Sequence, residues 1–355
     1  MAFHRSAPSG PGSTATQVPD VKDVELVNPP SDSISKVAFS PTADVLAVAS
    51  WNNEVRLYGV SPTGQTSPTA MYTHKGPVLD ICWSKDGSKL FSAGGDKSAR
   101  MFDMTTGQNR QVGGHNEAIS AVRWIEAPTG GILATASWDK TLRYWDLKGS
   151  APVSTVALPE RCYSMDVAYP LMVIGTAEKH IVLINLTNPT TIFKTVPSPL
   201  KWQTRVVSCF PGANGFAVGS IEGRVAIQYV EEKDIALNFS FRCHRKDMNP
   251  PTKDASLVFA VNAIIFHPQH GTFATSGSHD GTTSFWDKDS KIRLKTFEAA
   301  SGSIVSTSFD RSGNILAYAI AYDWGKGVTG MNPTYPNKVL LHACKDEEIK
   351  GRSRK

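Results

Sequence analysis

Two histidine–aspartate pairs are the residues most able to do chemistry: His74 with Asp96, and His115 with Asp139. A carboxylate that orients an imidazole is the base half of a nucleophilic site. The pair recurs in the same local setting, however, as repeated bracing does and a unique active site does not. Other constellations fail similar tests. Residues 325–330 (GKGVTG) match G-x-G-x-x-G, but Met331-Asn332-Pro333-Thr334-Tyr335-Pro336 cannot open the helix that would receive a pyrophosphate. His267 and His270 flank Pro268 with no third ligand suggested, so no metal is expected, and no cofactor. Cys82, Cys162, Cys209, Cys243 and Cys344 lie far apart beside apolar neighbours and read as buried, reduced thiols.

The elements that must position these residues form a repeat. Residues 133–146 read LATASWDKTLRYWD, and the template returns at 46–58 (LAVASWNNEVRLY), 90–103 (LFSAGGDKSARMFD) and 273–287 (FATSGSHDGTTSFWD). Weaker copies stand at 173–185, 217–229 and 316–327. Their turn residues are Asn52, Asp96, Asp139, Glu178, Glu222, Asp280 and Asp323, spaced by 44, 43, 39, 44, 58 and 43. A four-stranded propeller blade occupies about 40–45 residues, so seven copies predict seven blades. An aspartate in a tight turn caps backbone N–H groups, a histidine can hold its carboxylate, and Trp145 adds buried area and an indole donor.

The last copy offers three strands, at 303–309, 314–322 and 338–344. The fourth is expected from 23–28 (DVELVN), which would join the chain ends and remove an exposed edge. The expected fold is an all-β, seven-bladed WD-repeat β-propeller spanning 22–344. It is one domain, although length alone suggests two. A Ser/Pro/Gly/Thr-rich segment at 1–21 is expected to be disordered, and 345–355 to be a basic tail.

Composition agrees. Hydrophobic residues make up 41% and charged residues 19%, enough apolar material for a core. The longest apolar run, 315–322, is far short of the roughly 20 residues of a spanning helix, so no membrane insertion is expected. The N-terminus lacks the apolar stretch of a secretory signal, which points to a cytosolic or nuclear chain. A net charge of +5 permits a polyanionic partner without requiring one.

Departures from the repeat are the better places to look for function. The long gap holds about fifteen extra residues over the blade period, within 231–257. There Phe239 and Phe241 adjoin Arg242, His244, Arg245 and Lys246; one blade later Trp286 leads into Lys288, Lys291, Arg293 and Lys295. With Arg224 these could form one rim, where cations track phosphates and rings stack on single-stranded bases. Asp247, Asp254, Asp287 and Asp289 dilute that field. A second group precedes the turn residues: Trp51, Trp138, His279 and Tyr322, with Gly95 in the second blade. Arg161, Tyr163, Trp202 and Arg205 should open onto the same face, as should Trp324. Aromatics with arginine are what partner-binding surfaces favour. The first strands offer mostly Val, Ile, Ala and Ser, which speaks against an enzyme working in the central channel.

Taken together, SWNNEVRLY (50–58), ASWDKTLRYWD (136–146), FRCHR (241–245), FHPQHGTFATSGSHDG (266–281), FWDKD (285–289) and AYDWGKG (321–327) resemble the WD-repeat mRNA export factors of nuclear pores. The resemblance runs from about residue 32 to the tail. It implies a non-catalytic adaptor in poly(A) mRNA export, located in the nucleus and at the nuclear pore and shuttling to the cytoplasm. The implied partners are the GLEBS segment of a phenylalanine-glycine nucleoporin, on the aromatic face, and single-stranded RNA or mRNP, on the rim of Arg224, Phe241, Arg242, Arg245, Trp286, Lys288, Lys291 and Arg293. It further implies a monomeric propeller within a heterocomplex, with spindle or checkpoint proteins as possible further partners. The alternative is a spindle-checkpoint WD-repeat adaptor that binds GLEBS-like segments of mitotic kinases.

Overall fold

The structure, a computed structural model, describes residues 22–128, 130–247 and 256–351. The segment 1–21, Asp254 and the last four residues of the expected tail lie outside the described residues. Regular structure among the described residues is nearly all strand, in seven four-stranded antiparallel sheets and one two-stranded ribbon, Arg245–Asp247 with Ser256–Val258. In blade 3 the strands are Ile119–Ala127, Gly130–Ser137, Thr141–Trp145 and Ser154–Ala157, paired in chain order. First strands of successive blades pack on one another around the central axis. Second strands are sandwiched between neighbouring blades: Leu171–Thr176 and Gly215–Ser220 are buried at every position. That double burial is why they read as continuous runs of apolar and small residues rather than alternating ones.

The core lies between blades rather than within them. Ala136, Leu142 and Tyr144 of blade 3 pack with Met172, Ile174 and Val182 of blade 4. No blade could bury its faces alone, so the ring is one domain.

The recurring His–Asp pairs are braces. Trp145 Nε1–H donates to Thr135 Oγ1 at 2.8 Å, Thr135 Oγ1–H to His115 Nε2 at 2.8 Å, and His115 Nδ1–H to Asp139 at 3.1 Å. Asp139 in turn accepts the backbone N–H groups of Asn116 and Thr141, both at 3.0 Å. Burial, with the Arg143 charge assisting, lowers the His115 pKa to about 4 despite Asp139, so the imidazole is neutral and relays hydrogen bonds as drawn. Blade 6 repeats the set with Trp286, Thr275, His244 and Asp280. His244 therefore leaves the cationic cluster in which the sequence placed it; its side chain is fully buried. Blades 4 and 5 lack the histidine. Glu222 keeps only the backbone part, accepting the N–H of Lys201 at 3.2 Å, and Glu178 sits in a short 3-10 turn with φ of 55°.

A further set of braces surrounds the channel. Arg123 Nη1 bonds Asp80 at 2.5 Å and its Nε lies 3.3 Å from Asp166, while Lys36 is 3.8 Å from Asp80. Asp80 also accepts the N–H of Val122, and Asp166 that of Cys209, each in the next blade. The first strands are thus less apolar than expected, but their charges pair with one another and stitch blades together.

The ring closes as the sequence implies. Blade 7 orders Val24–Glu25, Lys338–Ala343, Ile315–Ile320 and Ile304–Phe309, so its outer strand comes from the N-terminus. The closing ladder is shorter than the 23–28 expected, with Leu26 N–H adding one more bond to Val339. His342 clasps the junction: Nδ1 meets Asp23 at 2.7 Å and Nε2 meets Glu348 at 3.1 Å. Tyr318 donates to the other Asp23 oxygen, and Phe297 packs on the imidazole at 4.3 Å. Glu348 belongs to a single helical turn, Asp346–Ile349, whose Ile349 is buried against Ala274, Phe285 and Phe309. The first part of the supposed basic tail is therefore docked structure.

Candidate functional site

Strand alternation gives the ring two faces. The turns between second and third strands carry the acidic braces on one face; the other connections within blades lie on the opposite face.

On the acidic-turn face, one cavity of about 480 Å³ sits over the channel mouth. Trp51, Trp138, Arg205, Tyr322 and Trp324 all line it, although they come from blades 1, 3, 5 and 7. Trp324 stacks on Trp51 with centroids 3.9 Å apart and planes 18° apart. Trp324 adopts φ of 57°, a left-handed conformation that is uncommon for a bulky side chain and costs about 1–3 kcal/mol. Its indole N–H is buried and has no partner among the described residues. Trp138 is 42% exposed. Arg205 reaches across the channel to the carbonyl of Asp323 at 2.7 Å. Tyr322 is instead buried, its hydroxyl donating to Gly327 at 2.7 Å; it supports Trp324 from beneath rather than presenting a surface. Burial raises the Asp323 pKa, but hydrogen bonds from Ser278 and the Gly325 N–H, with the Arg205 charge, more than offset this and keep it an anion.

A second hollow of about 430 Å³ adjoins blades 4 and 5, lined by Tyr163, Lys179, Lys201 and Trp202. Trp202 is 53% exposed, with the Lys201 ammonium 5.9 Å from its ring centroid. Arg161, also exposed, adjoins the Glu178 turn through its carbonyl, which accepts the Ala177 N–H. His279 is exposed and bonded to Ser278 and Ser303, but lines neither cavity.

The basic rim divides in two. On the outer strand of blade 5, Phe239 and Phe241 face blade 6, where Phe241 packs on Trp286 at 4.4 Å. Lys291 lies over the Phe239 ring at 4.8 Å and Lys288 over Phe210 at 5.2 Å. Arg293 pairs with Trp286 across the sheet, and so shares its face, and is exposed. This is a groove of rings bordered by cations. Arg224 pairs with Arg242, and their face of the sheet, shared with Ala226, packs toward blade 4. Arg224 lies 3.8 Å from Glu222 and Arg245 donates to the Glu222 carbonyl at 2.8 Å. These three arginines therefore belong to the acidic-turn end of blade 5 and not to the ring-lined groove.

Sequence reasoning missed the channel charges. Their signal was present: Lys36, Asp80, Arg123 and Asp166 recur at spacings of 44, 43 and 43 with alternating sign, in phase with the blades. Among the described residues no group of three or more His, Cys, Asp or Glu could hold a metal, and all five cysteines are free.

The comparisons with known proteins agree with this fold. A model for the WD domain, G-beta repeat matches residues 255–287, and one for the anaphase-promoting complex subunit 4 WD40 domain matches 37–127. The poly(A)+ RNA export protein of Schizosaccharomyces pombe is 54% identical over 335 residues, covering 94% of each chain. The chain belongs to the WD-repeat mRNA export factor family. Other members are similarly close: the mRNA export factor of Chaetomium thermophilum is 51% identical, covering 96% of this chain and 95% of its own. That of Xenopus tropicalis is 46% identical over 353 residues, covering 97% and 95%. These names favour the export family over the checkpoint alternative. No helix among the described residues is long and apolar enough to cross a membrane.

Proposed function

We propose that the chain is a non-catalytic adaptor in the export of poly(A) mRNA at the nuclear pore, moving between nucleus and cytoplasm. It docks the acidic GLEBS segment of a phenylalanine-glycine nucleoporin on its acidic-turn face and single-stranded RNA in the groove between blades 5 and 6. The observation that carries the reading is the convergence of Trp51, Trp138, Trp324 and Arg205 on one cavity at the channel mouth. Aromatic and arginine anchors around a concavity are where binding energy concentrates. Trp202, Tyr163 and Arg161 extend that face, and Arg224, Arg242 and Arg245 supply positive charge at its blade 5 edge for an acidic segment. Phe241, Trp286, Lys288, Lys291 and Arg293 hold RNA by stacking and phosphate contact. The His–Asp pairs of blades 3 and 6 are consumed in bracing, which supports docking rather than turnover.

The test is titration calorimetry of the whole chain with a GLEBS peptide. Trp138→Ala is expected to weaken binding about tenfold or more, as loss of a central aromatic anchor does, while leaving the melting temperature within a degree or two because the ring is exposed. Unchanged affinity in Trp138→Ala and Trp202→Ala together would reject this face.

A further inference from the structure

On the face opposite the acidic turns, blades 3 and 4 border a hollow of about 730 Å³, separate from both surfaces assigned above. Connections of both blades frame it: 146–153 in blade 3, and 169–170 and 186–193 in blade 4. Trp124, Ile132, Tyr144 and Val153 line it from blade 3, and Tyr169 and Leu186 from blade 4. Val153 is 58% and Tyr169 38% exposed. Tyr144 is 1% exposed, yet its hydroxyl meets only the thioether of Met172, at 3.9 Å. Burial alone raises the pKa of that phenol. A buried hydroxyl without an oxygen or nitrogen partner costs stability, and blade packing does not require one here. Leu57, Met101, Ile227 and Phe285 fill the same repeat position in blades 1, 2, 5 and 6 and pack toward the next blade as Tyr144 does.

The other polar side chains of the lining are also rich in donors. The Tyr169 hydroxyl and the Lys148 ammonium are exposed and have no partner among the described residues. The lining carboxylate, Asp146, accepts the Lys148 backbone N–H at 3.0 Å within its own turn. An occupant that suits this hollow is apolar in body and offers acceptors. An extended proline-rich strand has both properties: its rings are apolar, and proline has no N–H, so its backbone presents carbonyls alone. Such strands dock in aromatic-lined grooves because their conformation is already ordered before binding. An amphipathic helix would satisfy its own carbonyls and leave the Tyr144 hydroxyl as it is. We propose that the hollow between blades 3 and 4 is a docking site for an extended, proline-rich segment of a partner protein. Trp124 and Tyr169 receive its rings, and the hydroxyls of Tyr144 and Tyr169 donate to its carbonyls.

The test is fluorescence anisotropy of a fluorescein-labelled decaproline titrated with the full chain, beside a glycine–serine decapeptide of the same length. Decaproline should bind saturably and the glycine–serine peptide should not. Val153→Glu, at an exposed position, should abolish binding without lowering the melting temperature. Tyr144→Phe keeps the ring and removes only the hydroxyl. It should weaken binding about two- to tenfold, the range of one hydrogen bond, while the melting temperature stays equal or rises. A hydroxyl with a purely structural role would instead lower the melting temperature and leave the peptide affinity alone. Absence of decaproline binding, or binding unchanged in both variants, overturns the proposal. If Val153→Glu weakens binding but Tyr144→Phe does not, the acceptor argument fails, and the assignment of a proline-rich ligand fails with it. If sedimentation shows a dimer that Val153→Glu dissociates, a second copy covers the hollow and the proposal is wrong.

Discussion

Substituting His342 by glutamine removes one cation from between two carboxylates that belong to opposite ends of the chain. Burial draws the imidazole pKa down, but the hydrogen bonds and charges of Asp23 and Glu348 more than offset it and raise it to about 9. In the unfolded chain the value is about 6.5. Because the folded value is the higher one, the contribution is complete below about 6.5 and disappears as pH rises through 9. Moving an imidazole over that interval corresponds to roughly 3 kcal/mol at most, and about 2–3 kcal/mol remains at pH 7. The partner carboxyls, both held below their ordinary range, limit the low-pH side: their contribution is lost on acidification through the carboxylate range. His342→Gln should therefore lower the melting temperature by a few degrees at pH 6, with the difference closing by about pH 9.5. Hydrogen exchange should show the loss locally, at residues 24–26 and 346–349, before the other blades respond. Differential scanning calorimetry of both proteins from pH 5.5 to about 9.5 measures it. A melting difference that does not vary with pH would show that His342 serves by shape alone and refute the charge argument.

The other expectations are simpler. Asp139→Asn keeps the shape of the blade 3 brace but removes the anion that collects two backbone N–H groups and the His115 N–H, and should cost about 1–3 kcal/mol by chemical denaturation. Gly131→Ala would drive a methyl into the Trp124 ring and should destabilise by about 1–3 kcal/mol; a neutral result would mean the ring moves freely. Lys291→Glu with Arg293→Glu should flatten the salt dependence of oligo(A) binding while leaving the GLEBS affinity unchanged, and a parallel loss of both would merge the two surfaces.

The repeat was legible because a turn acid, a small-residue strand and an aromatic recur in phase, as at Asp96 and Asp139. It survived in blades 4 and 5, where Glu178 and Glu222 have no histidine, because the double burial of Leu171–Thr176 and Gly215–Ser220 still imposes its own composition. The gathering of Trp51 and Trp138 followed from phase alone. What phase could not give was the direction of a side chain. Tyr322 occupies the same repeat position as Trp138 yet turns inward beneath Trp324, since the long connection at 323–337 packs over it. Arg242 and Phe241 are neighbours in sequence but face opposite blades, because adjacent strand residues point to opposite sides. His244 looked cationic beside Arg242 and Arg245 because its partner Asp280 lies beyond the insertion.

The outermost strand of blade 7 has a temporal consequence. Val24 pairs with Leu341, so the strand that closes the ring is made long before its partner. At about 5–20 residues per second that interval is roughly 15–60 s. Throughout it blade 1 has no neighbour on one side, and Ile34 and Val37, buried in the finished ring, lack the cover of Ala317, Ala319 and Val339 from blade 7. A truncation anywhere before residue 338 removes the strand that joins the two ends and leaves the toroid open.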